Sequence, residues 1–196
     1  MGMRPQGNEQ EARRNKHVRS APSKIAVKAL GEEVLDGILD KSSNPLLLIL
    51  DCVQDPHNLG AILRTADGAG VDAVIAPRDK SVGITETVLR VSVGAAEKVP
   101  FIQVTNLART MKQLQSRGIW IFGTSDKGDR GLYETDFTGP AALVMGAEGE
   151  GIQISMLSLT MLLVAVQVLL NCLDVYDILI VFFQLLHTVC FLAHYD

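Results

Sequence analysis

Five short apolar runs, each bounded by turn residues and separated by stretches of helical period, constrain this chain more than any other feature. They are Leu46 to Asp51 (LLLILD), Val71 to Ala76, Val99 to Val104, Ile119 to Thr124 and Ala141 to Met145. A run that is apolar at every residue, rather than at alternate ones, has to be covered on both faces, as strands of a parallel sheet are. Between the runs, Asn58 to Ala69, Thr85 to Val93 and Leu107 to Gln115 read as helices; in the first, Leu59, Ile62, Leu63 and Ala66 recur at three-and-four spacing. Strand, loop, helix, strand is a βαβ unit, and its repetition predicts an α/β fold: a mostly parallel, doubly wound sheet with helices on both faces. In such sheets ligands bind beyond the carboxyl ends of the strands.

The two ends of the 196-residue chain depart from this pattern. Residues 1–29 carry Arg4, Arg13, Arg14, Lys16, Arg19, Lys24 and Lys28 against Glu9 and Glu11 alone, so residues 1–43 read as a basic, flexible arm. Such an arm either contacts phosphates without sequence preference or is simply solvated. From Ile152 to Asp196 there is no Lys, Arg, Glu, Gly or Pro, and the only charges are Asp174, Asp177 and Asp196. This leaves 44–151 as the domain proper and 152–196 as an atypical apolar segment. Ile154 to Leu173 has the length of a membrane span. It lacks flanking Lys, Arg or Trp and is diluted by Ser155, Ser158, Thr160, Gln167 and Asn171, so membrane attachment is disfavoured. An exposed tail of this kind would aggregate, and packing in a dimer is the economical way to cover it.

With 47% apolar and 20% charged residues and a net charge of −4, the chain is neither disordered nor collagen-like. Cys52, Cys172 and Cys190 form no CxxC pair, and the charged N-terminus is not a secretory signal, which reads as a reduced, cytoplasmic protein. His17, His57, His187 and His194 are scattered away from any cysteine or carboxylate cluster, so no metal site is expected.

Two loops carry candidate chemistry. After the last apolar run comes Gly146-Ala147-Glu148-Gly149-Glu150-Gly151, where glycines let backbone approach a ligand closely or simply make a tight turn. The pattern matches neither a Walker loop nor GxGxxG. Glu148 there is either a base or positioning group, or a cap for the amides of its own loop. After the first run comes Asp55-Pro56-His57-Asn58-Leu59-Gly60, leading to Arg64. Asn58 reads most simply as the cap of the following helix. Arg64, six positions on, is expected near the same face, with either a phosphate or a structural carboxylate, Asp67 or Glu97, as its partner. Both loops follow strands, so an amide, a guanidinium and a carboxylate could surround one cleft.

At these residues the chain resembles the SpoU branch of the SPOUT-class RNA methyltransferases, and in particular the bacterial enzymes that methylate a guanosine ribose 2′-oxygen of 23S ribosomal RNA. The likeness runs from about Asn44 to Gly151, through LLLILDCVQDPHNLGAILRTADGAGVDAVI, SVGAAEKVPFIQVTNLARTM, IWIFGTS and ALVMGAEGEG. The resemblance implies a trefoil-knotted α/β domain that acts as a homodimer on ribosomal RNA with S-adenosylmethionine as methyl donor and without a metal. It implies active-site roles for Asn58, Arg64 and Glu148, and a cofactor pocket lined by Gly123, Thr124, Gly146 and Gly151. An arginine rarely loses its proton, so Arg64 is cast as an electrostatic stabiliser of the developing alkoxide.

Two departures qualify the likeness. About forty residues precede the first strand, too few for the N-terminal RNA-binding domain that members of this branch carry, and the basic arm is a candidate substitute. The knot-forming end is not intact after Gly151, where Ser158-Leu159-Thr160 and Cys172-Leu173-Asp174-Val175-Tyr176 are only faint echoes of the expected motif. The expectation is a knot that is incomplete and a reading frame altered after about residue 152. The alternative function is a non-catalytic RNA-binding remnant of the family.

Overall fold

The computed structural model describes residues 27–125, 130–131, 136–146 and 162–165. Strand β1, Leu46–Leu50, is buried at all five residues and divides its side chains between two layers. Leu46, Leu48 and Leu50 point into one apolar cluster and Leu47 and Ile49 into another, because successive residues of a strand face opposite ways. The first cluster is closed by helices α2 (Pro56–Gly68), α3 (Glu86–Ser92) and α4 (Ala95–Lys98), through residues such as Leu59, Leu63, Val88 and Ala96. The second is closed by α1 (Leu35–Leu39) and α5 (Leu107–Ser116), through Leu35, Leu39, Leu107, Met111 and Leu114. Burying one leucine or isoleucine contributes about 1.5–3 kcal/mol, so β1 is a dominant anchor of the domain.

The other strands are β2 (Ala73–Pro77), β3 (Phe101–Val104), β4 (Trp120–Ser125), β5 (Arg130–Gly131), β6 (Ala141–Met145) and β7 (Leu162–Ala165). Among the described residues they form one sheet in the order β3-β2-β1-β6-β4-β7-β5. Every neighbouring pair is parallel. The expected α/β class, parallel sheet and two helical layers are therefore present. The chain runs outward from β1 to β3, then crosses to β4 and returns to insert β6 between β1 and β4. This reversal is a topological switch point, where sheets of this kind open a crevice.

Two boundaries differ from the sequence reading. Residues 30–41, assigned there to the flexible arm, belong to the domain. Leu30 pairs in parallel with Ile102 of the edge strand β3, donating to the Phe101 carbonyl and accepting from Gln103 N, both at 2.8 Å. A 3-10 turn, Glu32–Val34, and α1 follow; with five residues α1 is too short to show a period. Arg109 of α5 bonds Glu32 at 2.6 Å, and Arg117, just after α5, bonds both Asp36 and Asp40, linking this segment to that helix. In the apolar tail, Leu162–Ala165 is a strand between β4 and β5, inside the run whose length matched a membrane span. No helix among the described residues is long and apolar enough to cross a membrane.

Candidate active site at the carboxyl edge of the sheet

Because the strands are parallel, the loops that follow β1, β6 and β4 leave by one edge. Leu50 pairs with Met145, and Asp51 N extends that ladder with a 2.8 Å bond to the Met145 carbonyl. Gly146 thus emerges beside the loop that leads from β1 to Asn58. On the other side of β6, Gly123 pairs with Val144, and the Thr124 hydroxyl donates to the Val144 carbonyl at 3.1 Å. Gly123, Thr124 and Gly146 therefore share this edge with the β1–α2 loop. Glu148 and Gly151 lie outside the described residues.

The loop itself begins with a tight geometry. Asp51 is only 3% exposed, and Cys52 adopts a left-handed backbone with φ 66° and lies 3.5 Å through its Sγ from Asp51 Oδ1. Asp55, not Asn58, caps α2: its Oδ1 accepts from His57 N at 2.8 Å. The physical reason is Pro56, whose fixed φ and missing N–H suit the first helical position, so the cap falls one residue before it. The dipeptide was the available sequence signal. His57 is exposed, with Nδ1 3.3 Å from Asp55 Oδ1. Asn58 then sits inside the first turn with its Oδ1 buried and no hydrogen-bond partner among the described residues. Such a group calls for an explanation, commonly a ligand or water.

Arg64 is placed differently from the expectation. Six residues of α-helix turn through about 600°, roughly a third of a turn short of two full turns, so Arg64 does not share the face of Asn58. It lies on the stripe Gly60-Arg64-Asp67, in which Gly60 meets Val91 of α3 and Asp67 bonds Lys98 of α4 at 3.0 Å. Asp67, one of the two carboxylates expected to hold it, is thus engaged elsewhere. Arg64 is exposed and has no ion pair among the described residues.

A second loop at this edge had no role in the sequence reading. It joins β2 to α3, and Val82 N donates to the Val53 carbonyl at 2.8 Å, clamping it against the β1–α2 loop. Its Ser81 Oγ is buried without a partner among the described residues. Its burial is set by tertiary packing, and a lone serine in a turn carries no sequence signature of it. Among the described residues no three His, Cys, Asp or Glu side chains gather to hold a metal ion.

Residues 45–171 match the SpoU rRNA Methylase family, a match that continues beyond Gly151. The chain is 62% identical over 122 residues to the 23S rRNA (guanosine-2′-O-)-methyltransferase RlmB of Ralstonia nicotianae, covering 62% of this chain and 48% of that protein. It is 57% identical over 128 residues to RlmB of Shewanella oneidensis, covering 65% and 52%. The chain spans about half the length of the curated relatives it matches. Its fold is similar to that of the SpoU methyltransferase AviRb from Streptomyces viridochromogenes, solved in complex with AdoMet, with a TM-score of 0.65 and 22% identity over 75% of this chain and 58% of that one. A match that takes in more than half of the chain leads to one conclusion: the chain belongs to the SpoU rRNA methylase family.

Proposed function

We propose that this chain transfers a methyl group from S-adenosylmethionine to a ribose 2′-hydroxyl of RNA, at a guanosine of 23S ribosomal RNA. The observation that carries the reading is the extent of the family match, which takes in Asn58, Arg64, Gly123, Thr124, Gly146, Glu148 and Gly151 together. The edge suits such a donor in its chemistry. Gly123 and Gly146 bring no side chain to the ends of β4 and β6, and the Thr124 hydroxyl is engaged with Val144.

When bound, the donor supplies an already activated methyl group on a sulfonium. The chain's own task is in-line placement of the ribose oxygen and help with one proton. Asn58, whose Oδ1 lacks a partner, is suited to accept from a ribose hydroxyl and so orient it. Arg64, a guanidinium standing off the Asn58 face, is suited to hold an RNA phosphate or, reaching along the helix, to stabilise the developing alkoxide. The Glu148 carboxylate, or that phosphate, would take the proton that the ribose hydroxyl gives up.

The homodimer, the trefoil knot, the cytoplasmic location, the basic arm as an RNA contact and the 152–196 segment as a replaced end of the fold belong to the same proposal. Exposed Arg64, without an ion pair among the described residues, supports the dimer only in that a second copy could supply its partner. The test is transfer of labelled methyl from S-adenosylmethionine to unmodified ribosomal RNA, with a titration of the methyl donor alongside. Label on a guanosine 2′-oxygen supports the reading. RNA binding without donor binding overturns it in favour of the non-catalytic remnant.

A further inference from the structure

The loop between β2 and α3, residues 78–84, takes no part in the mechanism above, yet it leaves the same edge. The described residues hold three buried side-chain oxygens without partners: those of Asn44, Asn58 and Ser81. Asn44 precedes β1 and lies at the opposite edge. Asn58 and Ser81 sit on two loops of the carboxyl edge that the Val82–Val53 hydrogen bond joins directly. A hydroxyl removed from water and left unpaired is a cost to the free chain, which a bound group with polar atoms would relieve.

The charge on the loop indicates which group that is. Arg78 opens the loop with its backbone N bonded to the Val104 carbonyl at 2.9 Å, while its side chain is exposed and has no ion pair among the described residues. Asp79 and Lys80 are exposed beside it, so these three side chains leave the loop with one net positive charge. A guanidinium and a hydroxyl on one loop suit a sugar–phosphate backbone in kind, since it offers anionic oxygens and hydroxyls.

We propose that residues 78–84 form a contact for the sugar–phosphate backbone of the substrate RNA, in which Ser81 and Arg78 find the partners they lack in the free chain. This rests on the methyltransferase reading. Reaching the Ser81 hydroxyl requires a shift of the loop.

The test compares the wild-type chain with Ser81→Ala, Ser81→Thr and Arg78→Ala in RNA affinity, KM for RNA, kcat, donor affinity and thermal midpoint. Ser81→Ala is expected to raise KM and Kd for RNA roughly tenfold, the scale of one hydrogen bond to a charged group. It should leave kcat and donor affinity unchanged and not lower the midpoint of the free chain, and Ser81→Thr should restore RNA affinity. Arg78→Ala should reduce the slope of log K against log salt by about one phosphate contact. Unchanged RNA affinity in Ser81→Ala, or a fall in midpoint that Ser81→Thr reverses while affinity stays constant, overturns the proposal. Absence of methyl transfer by the wild-type chain counts against the reading of its activity, whereas the affinity ratio between wild type and Ser81→Ala still decides the role of the loop.

Discussion

Gly60 of α2 and Val91 of α3 approach so closely that a β-carbon on Gly60 would lie 2.7 Å from the Val91 Cβ and 3.1 Å from the Val88 carbonyl oxygen. Neither neighbour is the free end of a flexible side chain, so the helices would have to separate. Gly60→Ala is therefore expected to destabilise the domain by about 1–3 kcal/mol, despite alanine's higher helix propensity. Urea unfolding measures it; an unchanged or raised midpoint would show that α3 moves aside freely.

Val93 closes α3 with φ 52° while 75% exposed, so a β-branched residue bears a left-handed backbone with little packing in return. Val93→Asn should stabilise the chain by roughly 1 kcal/mol, since asparagine tolerates this conformation better. A thermal scan of the variant checks the sign.

Asp55 caps α2 and thereby sets the height at which Asn58 stands. Asp55→Ala is expected to cost about 0.5–2 kcal/mol and Asp55→Asn much less, because the amide oxygen can still accept from His57 N. Denaturant midpoints of both variants make the comparison.

Arg64 is exposed and forms no ion pair among the described residues, so Arg64→Ala should shift stability by no more than about 0.5 kcal/mol. If it stabilises developing charge, the same variant loses about 10²–10³-fold in kcat for methyl transfer. Retained turnover with a normal unfolding curve would remove it from the mechanism.

Asp136 is held below its ordinary carboxylate pKa of 3.8, first by the Thr138 hydroxyl at 2.6 Å and then by the Thr138 N–H at 2.9 Å. A lowered folded-state value makes the interaction a stabilising one above the unfolded pKa, lost as pH falls through the folded value. Thr138→Ala removes the larger cause, so the Asp136 carboxyl should titrate closer to 3.8 in an NMR pH series. An unchanged titration would assign the shift to the backbone amide.

The strands and helices of the core were legible in the sequence because their signals are local. LLLIL is apolar at every position, and the Leu59, Ile62, Leu63, Ala66 spacing is helical, whatever else the chain does. The Asp55 cap was also legible, through Pro56, but the eye falls on Asn58. Five-residue α1 was not, since its burial rests on only Leu35 and Leu39.

The sequence by itself determined which segments become parallel strands buried on both faces, and so the α/β class and the presence of loops at a carboxyl edge. Tertiary structure alone decided that β6 inserts between β1 and β4, placing Gly146 beside the Asn58 loop, that Leu162–Ala165 joins the sheet, and that Arg64 and Ser81 stand where they do. The physical reason is that periodicity is written residue by residue. Strand order and the partners of buried polar groups depend instead on contacts between segments far apart in the chain, which no local pattern records.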